Sequence, residues 1–375
     1  MINITTLPTV ALDEENCELV IIDQTKLPNE TTLLNISTLK ETYDAIKSLA
    51  VRGAPAIGVA AAIGIYVACE RFKEEDFSQF AKEFHEAKEY LASSRPTAVN
   101  LSWALGRMEK VVNKNADLNA KNLTAKNNNH KIVKEIKRLL HEEALKILNE
   151  DITVCRKLGE YGITLIKDGD GILTHCNAGQ LATVKYGTAL SPIYLGAEQG
   201  MKFKVYCDET RPLLQGARLT AFEMASIGMD TTVLCDNMAA AVMEKGLIDA
   251  VFVGCDRVAA NGDAANKIGT MNVAILANHF NIPFYVFAPT STIDMKCKNG
   301  EDIRIEDRNP GEVSELWYKR KMTPEGVHIF NPAFDVTKSE LITAFITEYG
   351  VIRPPYDKAF NKIFKKRIWS VVSNE

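Results

Sequence analysis

The pattern of apolar and polar residues predicts a mainly helical first part of the chain. Thr38–Leu49 has helical spacing, and Thr97–Val112 is a second helix candidate. Ala54–Cys69 is an uncharged apolar run rich in Ala and Gly. Because a bilayer-spanning helix needs about 20 residues, this shorter run predicts a buried helix. Glu18–Asp23 is typical of a short strand.

The middle of the chain contains two contrasting segments. Asn113–Asn129 is rich in Asn and Lys and lacks periodicity, which predicts an exposed loop or insertion. From Lys131 to about Ile166, apolar and charged residues alternate at helical spacing, which predicts a long helix linking two domains. A length of 375 residues fits two domains. We therefore predict a mainly helical domain, 1–130, and a second domain, 131–375, that begins with this linker helix.

Short β-branched runs alternate with helical segments after Gly169. The predicted strands are Ile172–His175, Lys204–Cys207, Thr232–Cys235, Ala250–Cys255 and Phe284–Ala288, and the helix candidates between them are Leu181–Gln199, Gly216–Ile227, Met238–Gly246 and Met271–Phe280. Strand–helix–strand connections of this length are right-handed crossovers, which produce a parallel sheet covered on both faces. The second domain is therefore predicted to have an α/β fold.

Polar residues follow each predicted strand. The clusters are His175-Cys176-Asn177, Asp208-Glu209-Thr210-Arg211, Asp236-Asn237, Asp256-Arg257 and Pro289-Thr290. In open parallel sheets, ligands bind outside the carboxyl ends of the strands. The pattern therefore predicts a ligand site at this edge, although it does not name the reaction.

Composition and charge narrow the range of partners. The formal net charge is −4, with no basic bias of the kind that nucleic acids or membrane surfaces attract. The first ten residues lack the basic start of a secretory signal. None of the eight cysteines forms a C-x-x-C pair, which fits free thiols in a reducing compartment. We expect a cytoplasmic protein that binds neither nucleic acid nor membrane.

Two segments are candidates for binding a phosphate. Arg52-Gly53-Ala54 precedes the Ala/Gly-rich helix, whose first turn would offer free N–H groups. Ala259–Thr270 is predicted to be a Gly/Asn-rich loop that contains Lys267 and precedes a helix, but it has neither Walker nor dinucleotide-binding spacing. Each segment is as readily a structural turn. Arg95 could add a cation, or be a solvated side chain beside a helix start.

Cys176 and Asp256 are the candidates for chemistry. Cys176 lies between a predicted strand and a predicted helix, where a thiol can act as base or nucleophile, but a small apolar filler fits the spacing as well. Asp256 could hold a proton at the sheet edge and act as an acid, or cap a turn. His175 points away from Cys176 on the strand, so we expect a packed, hydrogen-bonded histidine. The repeated Cys-Asp strand ends make a metal site conceivable, yet buried small cysteines explain them more simply.

Long motifs in the chain resemble those of the 5-methylthioribose-1-phosphate isomerase family of methionine salvage. They are VRGAPAIG from Val51, RPTAVNL from Arg95, THCNAG from Thr174, DETRPLLQGARLTAFE from Asp208, DNMAA from Asp236, DRVAANGDAANKIGT from Asp256 and NPAFDVT from Asn331. The resemblance covers nearly the whole chain. It implies a helical N-terminal domain with a small sheet, a Rossmann-like second domain, a homodimer, and no metal or organic cofactor.

The resemblance also implies roles for individual residues. Cys176 and Asp256 would be the catalytic pair of an aldose–ketose isomerase acting on a sugar phosphate. The residues implied to bind the substrate are Arg52, Gly53, Ala54, Arg95, Gln215, Asn266 and Lys267. The chain departs from the family in having Cys255 where Ala is usual and in a longer Asn/Lys-rich stretch from Asn113.

Three alternatives share these motifs. The substrate could be 5-deoxyribose 1-phosphate or ribose 1,5-bisphosphate, since the motifs report the 1-phosphate end and not the 5′ substituent. The same fold also occurs in regulatory subunits of the exchange factor for the second eukaryotic translation initiation factor. A regulatory relative would not need Arg52, Cys176, Asp256 and Lys267 together, which favours the enzyme.

Overall fold

The computed structural model describes residues 2–73, 76–95, 99–120 and 129–372. The strands are β1 (Val10–Asp13), β2 (Glu18–Ile22), β3 (Leu33–Ile36), β4 (Gly171–Thr174), β5 (Lys204–Asp208), β6 (Asp230–Leu234), β7 (Ala250–Val253), β8 (Arg257–Ala259), β9 (Ala264–Lys267), β10 (Phe284–Phe287), β11 (Ile293–Asp294), β12 (Phe334–Thr337), β13 (Ala344–Thr347) and β14 (Gly350–Ile352). The α-helices are α1 (Leu39–Lys47), α2 (Ala54–Glu70), α3 (Phe77–Ala92), α4 (Val99–Ala120), α5 (Asn129–Gly162), α6 (Ser191–Glu198), α7 (Ala221–Ser226), α8 (Ala239–Glu244), α9 (Thr270–His279), α10 (Gly311–Ser314) and α11 (Tyr356–Val372).

The chain divides into two compact units. The N-terminal unit comprises Thr5–Thr153 and the short segment Gln180–Lys185, and the C-terminal unit contains the remaining described residues. Our predicted boundary at residue 130 differs from this division, which falls inside α5. The reason is that the helix runs without a break and serves two cores. Ile136 belongs to the N-terminal core, whereas Gly159 packs against Leu195 of the C-terminal unit.

The N-terminal unit is built around α2. This helix is buried along almost its whole length, as its Ala- and Gly-rich sequence predicts. Small residues let its neighbours approach closely, since a Cβ on Gly58 would lie 3.0 Å from the Asn100 carbonyl oxygen. The helices α1, α3 and α4 pack against α2, and β1, β2 and β3 form a small antiparallel sheet. The predicted helical domain with a small sheet is confirmed.

The C-terminal unit contains a seven-stranded sheet with the order β14-β13-β10-β7-β4-β5-β6. All neighbouring pairs are parallel except β13 and β14. The predicted parallel sheet is therefore confirmed, and β13 and β14 extend it beyond the five strands that the sequence pattern indicated. Strand β4 lies between β5 and β7, so the polar residues that follow these three strands leave the sheet at one edge.

Two local predictions are wrong in the described residues. Helix α4 continues to Ala120, so the first part of the predicted loop from Asn113 is helical, because no Pro or Gly interrupts it; residues 121–128 lie outside the described residues. The predicted helix Leu181–Gln199 is mostly absent. Tyr186 and Gly187 have positive φ angles of 70° and 83°, which break the helical backbone, and α6 begins only at Ser191.

The segment Ala259–Thr270, expected to be a loop, forms strands. β8 and β9 pair as an antiparallel hairpin, and with β11 and β12 they make a four-stranded sheet in the order β11-β8-β9-β12. Asn266 and Lys267 therefore lie on a strand, where their positions are set by ladder pairing with β12. Among the described helices, none combines the length and apolar character needed to cross a membrane.

Candidate active site

Cys176 is held in an unusual backbone conformation two residues after β4. Its φ angle is +64°, a region that residues other than glycine rarely adopt. The Cys176 amide donates to Thr210 Oγ1 at 2.8 Å, and its carbonyl accepts a hydrogen bond from Thr220 Oγ1 at 2.6 Å. The side chain is 8% exposed. Two threonines thus stabilise a strained conformation, a feature often found at functional sites.

The structure corrects the expected helix after Cys176. The chain forms only a short 3₁₀ turn at Gln180–Ala182, inside the segment that belongs to the N-terminal unit. Gly187 then returns to pack against Gly179, where a Cβ would come within 2.4 Å of the Gly179 backbone. The thiol is therefore followed by a short turn, and not by the α-helix that the sequence pattern predicted.

A buried carboxylate supports the turn after Cys176. Glu223 accepts hydrogen bonds from Asn177 Nδ2 at 2.7 Å and from the Tyr194 hydroxyl at 2.5 Å. A Cβ on Gly179 would lie 2.1 Å from a Glu223 carboxylate oxygen, so only glycine fits there. This carboxylate fixes the position of the residues that follow the thiol.

Gln215 lies immediately before a π-helix, Gly216–Thr220, in the segment that contacts the Cys176 turn. Such wide turns occur frequently at functional sites. Gln215 is 6% exposed, and its Oε1 finds no donor in the part of the chain that the structure describes. An unpaired buried acceptor costs about 1–3 kcal/mol, so a ligand hydroxyl that donates to it would recover that free energy.

Asp256 follows β7, the strand that pairs with β4. Thr174 pairs with Phe252 in the parallel register, so Cys176 and Asp256 both follow neighbouring strands at the same carboxyl edge. Gly254 allows the two segments to approach closely, since a Cβ there would be 3.0 Å from Ala178 Cβ. The half-buried Asp256 is tied to β9 by its amide, which donates to the Ala265 carbonyl at 2.9 Å.

Asn266 and Lys267 follow Ala265 on β9. Asn266 Nδ2 donates to Thr270 Oγ1 at 3.0 Å, and Lys267 Nζ lies 4.7 Å from the centre of the Phe334 ring. These contacts orient an amide and an ammonium group beside the Asp256 turn. Asp256, Asn266 and Lys267 therefore belong to one local structure in the C-terminal unit.

The start of α9 is not open to an anion. Asp335 accepts hydrogen bonds from the amides of Gly269 and Met271 at 2.7 and 3.1 Å. The phosphate cradle expected at this helix terminus is therefore already occupied by a carboxylate. Any phosphate contact in this region would have to come from side chains such as Lys267.

The other predicted cradle lies in the N-terminal unit. Gly53 precedes α2 with a φ angle of +90°, and as a glycine it offers no side chain to cap the helix. A Cβ on Gly53 would lie 2.4 Å from the Ala182 Cα, so glycine is required. Arg52 and Arg95 are both partly exposed in this unit, while Pro96 and Thr97 lie outside the described residues. The start of α2 retains the features expected of an anion site.

His175 is buried and hydrogen-bonded, as expected. Its Nδ1 lies 3.0 Å from Asp208 Oδ2, and its Nε2 lies 2.8 Å from the Ile268 carbonyl oxygen. Burial by itself lowers the pKa of His175, but the hydrogen bond and charge of Asp208 raise it overall.

His175, Asp208 and Asp236 are the one group in the described residues with metal-ligand spacing, within 4.8 Å of one another. The His175 ring nitrogens, Asp208 Oδ2 and both Asp236 oxygens already make hydrogen bonds, and the two Asp236 oxygens accept from the amides of Thr210 and Arg211 at 2.7 Å each. We interpret the group as a hydrogen-bond network. Asp208 and Asp236 follow Cys207 and Cys235 in two of the Cys-Asp strand ends, but no cysteine belongs to this group.

Residues 50–354 match the Initiation factor 2 subunit family. The chain belongs to this family. Two relatives illustrate its activities. Methylthioribose-1-phosphate isomerase from Symbiobacterium thermophilum is 58% identical over 358 residues, 96% of either chain. A 5-deoxyribose 1-phosphate isomerase from Clostridium botulinum is 54% identical over 360 residues, 96% of this chain and 99% of the relative.

Two solved structures are similar to this fold. The 5-methylthioribose 1-phosphate isomerase of Pyrococcus horikoshii has a TM-score of 0.87 and 43% identity, covering 97% of each chain. A protein described as the delta subunit of translation initiation factor eIF-2B from A. fulgidus has a TM-score of 0.81 and 43% identity, covering 94% of this chain and 97% of its own. The expected fold class is confirmed.

Sequence reasoning missed three residues that shape the Cys176 turn. Thr210 was named only as a member of a polar cluster after its strand, and Thr220 and Glu223 were not singled out, although all three lie within the motif that begins at Asp208. In the sequence, they were visible only as two hydroxyl side chains and one carboxylate within a long family motif. Their partners in the Cys176 turn, however, are 34 to 46 residues distant in sequence, so only the fold reveals the contacts.

Proposed function

We propose that the protein is an aldose–ketose isomerase that converts 5-methylthioribose 1-phosphate into 5-methylthioribulose 1-phosphate in methionine salvage. The observation that carries this proposal is the position of Cys176 and Asp256 after neighbouring strands β4 and β7. It is supported by identities of 58% and 57%, each over at least 90% of the chain, to two proteins named methylthioribose-1-phosphate isomerase.

Asp256 supplies the acid in this proposal. The substrate is a closed ring with phosphate on the C1 oxygen, so it cannot open as a free sugar does. Asp256 donates a proton to the ring oxygen, the bond between that oxygen and C1 breaks, and C1 becomes electron-deficient. General acid catalysis of this kind contributes about 10²–10⁴-fold to a rate.

Cys176 supplies the base. Its thiolate removes the proton from C2, which gives a phosphoryloxy enediol between C1 and C2. The proton then returns to C1, while the C2 hydroxyl releases its proton to Asp256 and becomes the ketone. The competing route moves hydrogen directly from C2 to C1 as a hydride, and Cys176 then shapes the pocket.

Substrate binding is assigned to side chains near these two groups and to the start of α2. Gln215 accepts a hydrogen bond from a sugar hydroxyl through its Oε1, which has no donor among the described residues. Asn266 and Lys267 contact hydroxyl or phosphate oxygens. The remaining predicted residues, Arg52, Gly53, Ala54 and Arg95, bind the phosphate. Arg is suited to this task because its planar fork matches phosphate geometry.

A second substrate has a specific observation in its favour. Relatives named 5-deoxyribose 1-phosphate isomerase are 53–54% identical to this chain over 96% of its length. Ribose 1,5-bisphosphate is less favoured, because its second phosphate would need a second cationic pocket. A non-catalytic role, as in the translation-factor relatives, would leave Cys176 and Asp256 without a task.

Catalytic efficiency on the three 1-phosphates tests these alternatives. We expect kcat/KM to be highest for 5-methylthioribose 1-phosphate when all three are assayed side by side, with the ketose product identified by NMR. A higher value for 5-deoxyribose 1-phosphate would reassign the substrate. No turnover of any of the three would refute the enzymatic proposal.

The same preparation tests the proposed assembly. We propose a homodimer that works in the cytoplasm without a metal or an organic cofactor. Light scattering should then give about twice the chain mass of 41.5 kDa, and exhaustive chelation should leave turnover unchanged. A monomeric mass, or activity lost to the chelator and restored by one metal, would contradict these points.

Replacing Arg52 by Ala should weaken substrate binding more than turnover. A charge-assisted hydrogen bond contributes about 1.5–3 kcal/mol, which corresponds to a KM increase of about 10–100-fold. Arg52→Lys is the matched control, because it keeps the positive charge but loses the planar guanidinium group. Its KM should lie between those of the wild type and Arg52→Ala. Steady-state kinetics with unchanged KM in Arg52→Ala would count against this phosphate site.

A further inference from the structure

We infer that His175 is a charged positioning residue that holds the segments of the candidate active site in register. It is an imidazolium at the centre of three carboxylates, each of which anchors a different segment. The importance of those segments rests on the proposed isomerase function, whereas the charge of His175 is inferred from its own hydrogen-bond partners. His175 itself is 1% exposed and contacts no substrate in this proposal.

The two ring nitrogens of His175 both face acceptors. A backbone carbonyl can only accept a hydrogen bond, so Nε2, at 2.8 Å from the Ile268 oxygen, must carry a proton. Nδ1 faces the Asp208 carboxylate at 3.0 Å. An imidazolium donates at both positions and satisfies both acceptors at once. A neutral ring could do so only if Asp208 carried the second proton.

The ring has no room to change its partners. A Cβ on Gly269 would lie 2.7 Å from Cε1 of His175, so the glycine backbone lies directly against the ring. The Gly269 φ angle of +103° is also one that other residues rarely adopt. The imidazole is therefore fixed between Asp208 and the Ile268 carbonyl.

Three carboxylates surround this ring from three elements. Asp208 at the end of β5 bonds to it directly, and Asp236, after β6, and Asp335, on β12, interact with its charge. Asp208 Oδ1 is buried and has no other partner among the described residues. A buried carboxylate is costly without a partner, so removal of His175 would destabilise Asp208 most.

Each carboxylate anchors a functional segment. Asp236 accepts from the amide of Thr210, whose hydroxyl in turn accepts from the Cys176 amide. Asp335 accepts from the amide of Gly269, two residues after Lys267. His175 immediately precedes Cys176 in the chain. One positive charge thus stabilises the position of the candidate base and of the Asn266–Lys267 strand end.

The charge has a predicted pH dependence. Asp208 raises the pKa of His175 in spite of burial, and burial raises the pKa of Asp208. Both groups therefore bind protons more tightly in the folded than in the unfolded chain. The stability that His175 contributes is fully present below its unfolded pKa of about 6.5 and is lost as pH rises through the higher folded value.

Neutron crystallography of the wild-type protein tests the charge directly. At neutral pD we expect deuterium on both Nδ1 and Nε2 of His175. A neutral ring, with the shared deuterium bound to Asp208, would overturn the inference. This result does not depend on catalysis, so wild-type protein inactive on all three sugar phosphates would refute the proposed function and leave the inference testable.

Two neutral variants test the positioning role. His175→Asn places a donor near the Nδ1 position, towards Asp208, and His175→Gln places one near the Nε2 position, towards Ile268. Each keeps one hydrogen bond and removes the charge. We expect both to lose about 10²-fold in kcat/KM, as small misplacements of reacting groups do. His279→Gln, an exposed histidine of the same unit, is the control and should keep wild-type activity.

The pH profile separates charge from simple packing. Above about pH 6.5, the free energy of unfolding of the wild type should fall with rising pH, and this slope should be reduced in both variants. Near-wild-type activity in either variant, or a slope unchanged from wild type, would overturn the positioning role of the charge. If neither variant folds, the neutron result decides.

Discussion

Replacing Cys176 by Ala should lower kcat about 10²–10⁴-fold while the protein remains folded. The loss follows from removing the base that takes the C2 proton. The fold should persist because Thr210 and Thr220 bind the Cys176 backbone and not its side chain. Steady-state assays with 5-methylthioribose 1-phosphate, with circular dichroism as the check on folding, provide the measurement.

Two further variants sharpen this test. Cys176→Ser keeps the shape of the side chain but replaces the thiol by a far weaker acid, so it should also be impaired. Cys255→Ala is the matched control: burial raises the pKa of the Cys255 thiol to about 12, and its sulfur lies near Phe287 and Thr292. Cys176→Ala activity above roughly a tenth of wild type would show that the thiol is not essential.

Asp256→Asn should abolish measurable turnover by either chemical route. The amide has nearly the same shape as the carboxyl group but cannot donate the proton that opens the ring. The amide of residue 256 would still donate to the Ala265 carbonyl, so the local backbone should be unchanged. Turnover near the wild-type rate would remove Asp256 from the mechanism.

Asp249→Asn is the matched control for that substitution. Asp249 precedes the same strand, β7, and accepts a hydrogen bond from the Gly171 amide at 2.8 Å, at the opposite edge of the sheet from Asp256. An amide oxygen can accept the same bond. Activity of this variant should therefore stay close to that of the wild type, and an equal loss in both would point to a general effect on folding.

Reaction in heavy water separates the two routes in the wild-type enzyme. If Cys176 carries the C2 proton, exchange with solvent should place deuterium at C1 of the product, whereas a hydride shift places none. NMR of the product measures the label. Deuterium at C1 together with an inactive Asp256→Asn variant would support Asp256 as acid and Cys176 as base, with an enediol between them.

Local sequence patterns were sufficient for the framework that carries the site. The runs that became β4, β5, β7 and β10 are short and apolar because both faces of a parallel sheet are covered. Their spacing leaves room for crossover helices, which makes the strands parallel and brings their carboxyl ends together. The edge at which Cys176 and Asp256 emerge was therefore predictable from the sequence.

The same reasoning failed where the backbone departs from regular periods. Ala259–Thr270 resembles a loop because its Gly and Asn residues mark the hairpin turn, while the small residues of β9 give little strand signal. The helix expected after Cys176 is absent because positive φ angles at Tyr186 and Gly187 redirect the chain. Side-chain periodicity does not report such single backbone angles.

The sequence by itself determined which residue types reach the sheet edge, and the tertiary structure decided what they do there. His175 forms hydrogen bonds with the Asp208 carboxylate, 33 residues away, and with the Ile268 carbonyl, 93 residues away. Asp335 accepts a hydrogen bond at the start of α9 from an amide 66 residues before it. Periodicity reports burial within one element, because it depends only on near neighbours. Contacts between distant segments depend on how the elements pack, and so the charge state of His175 and the occupied start of α9 emerge only in the folded chain.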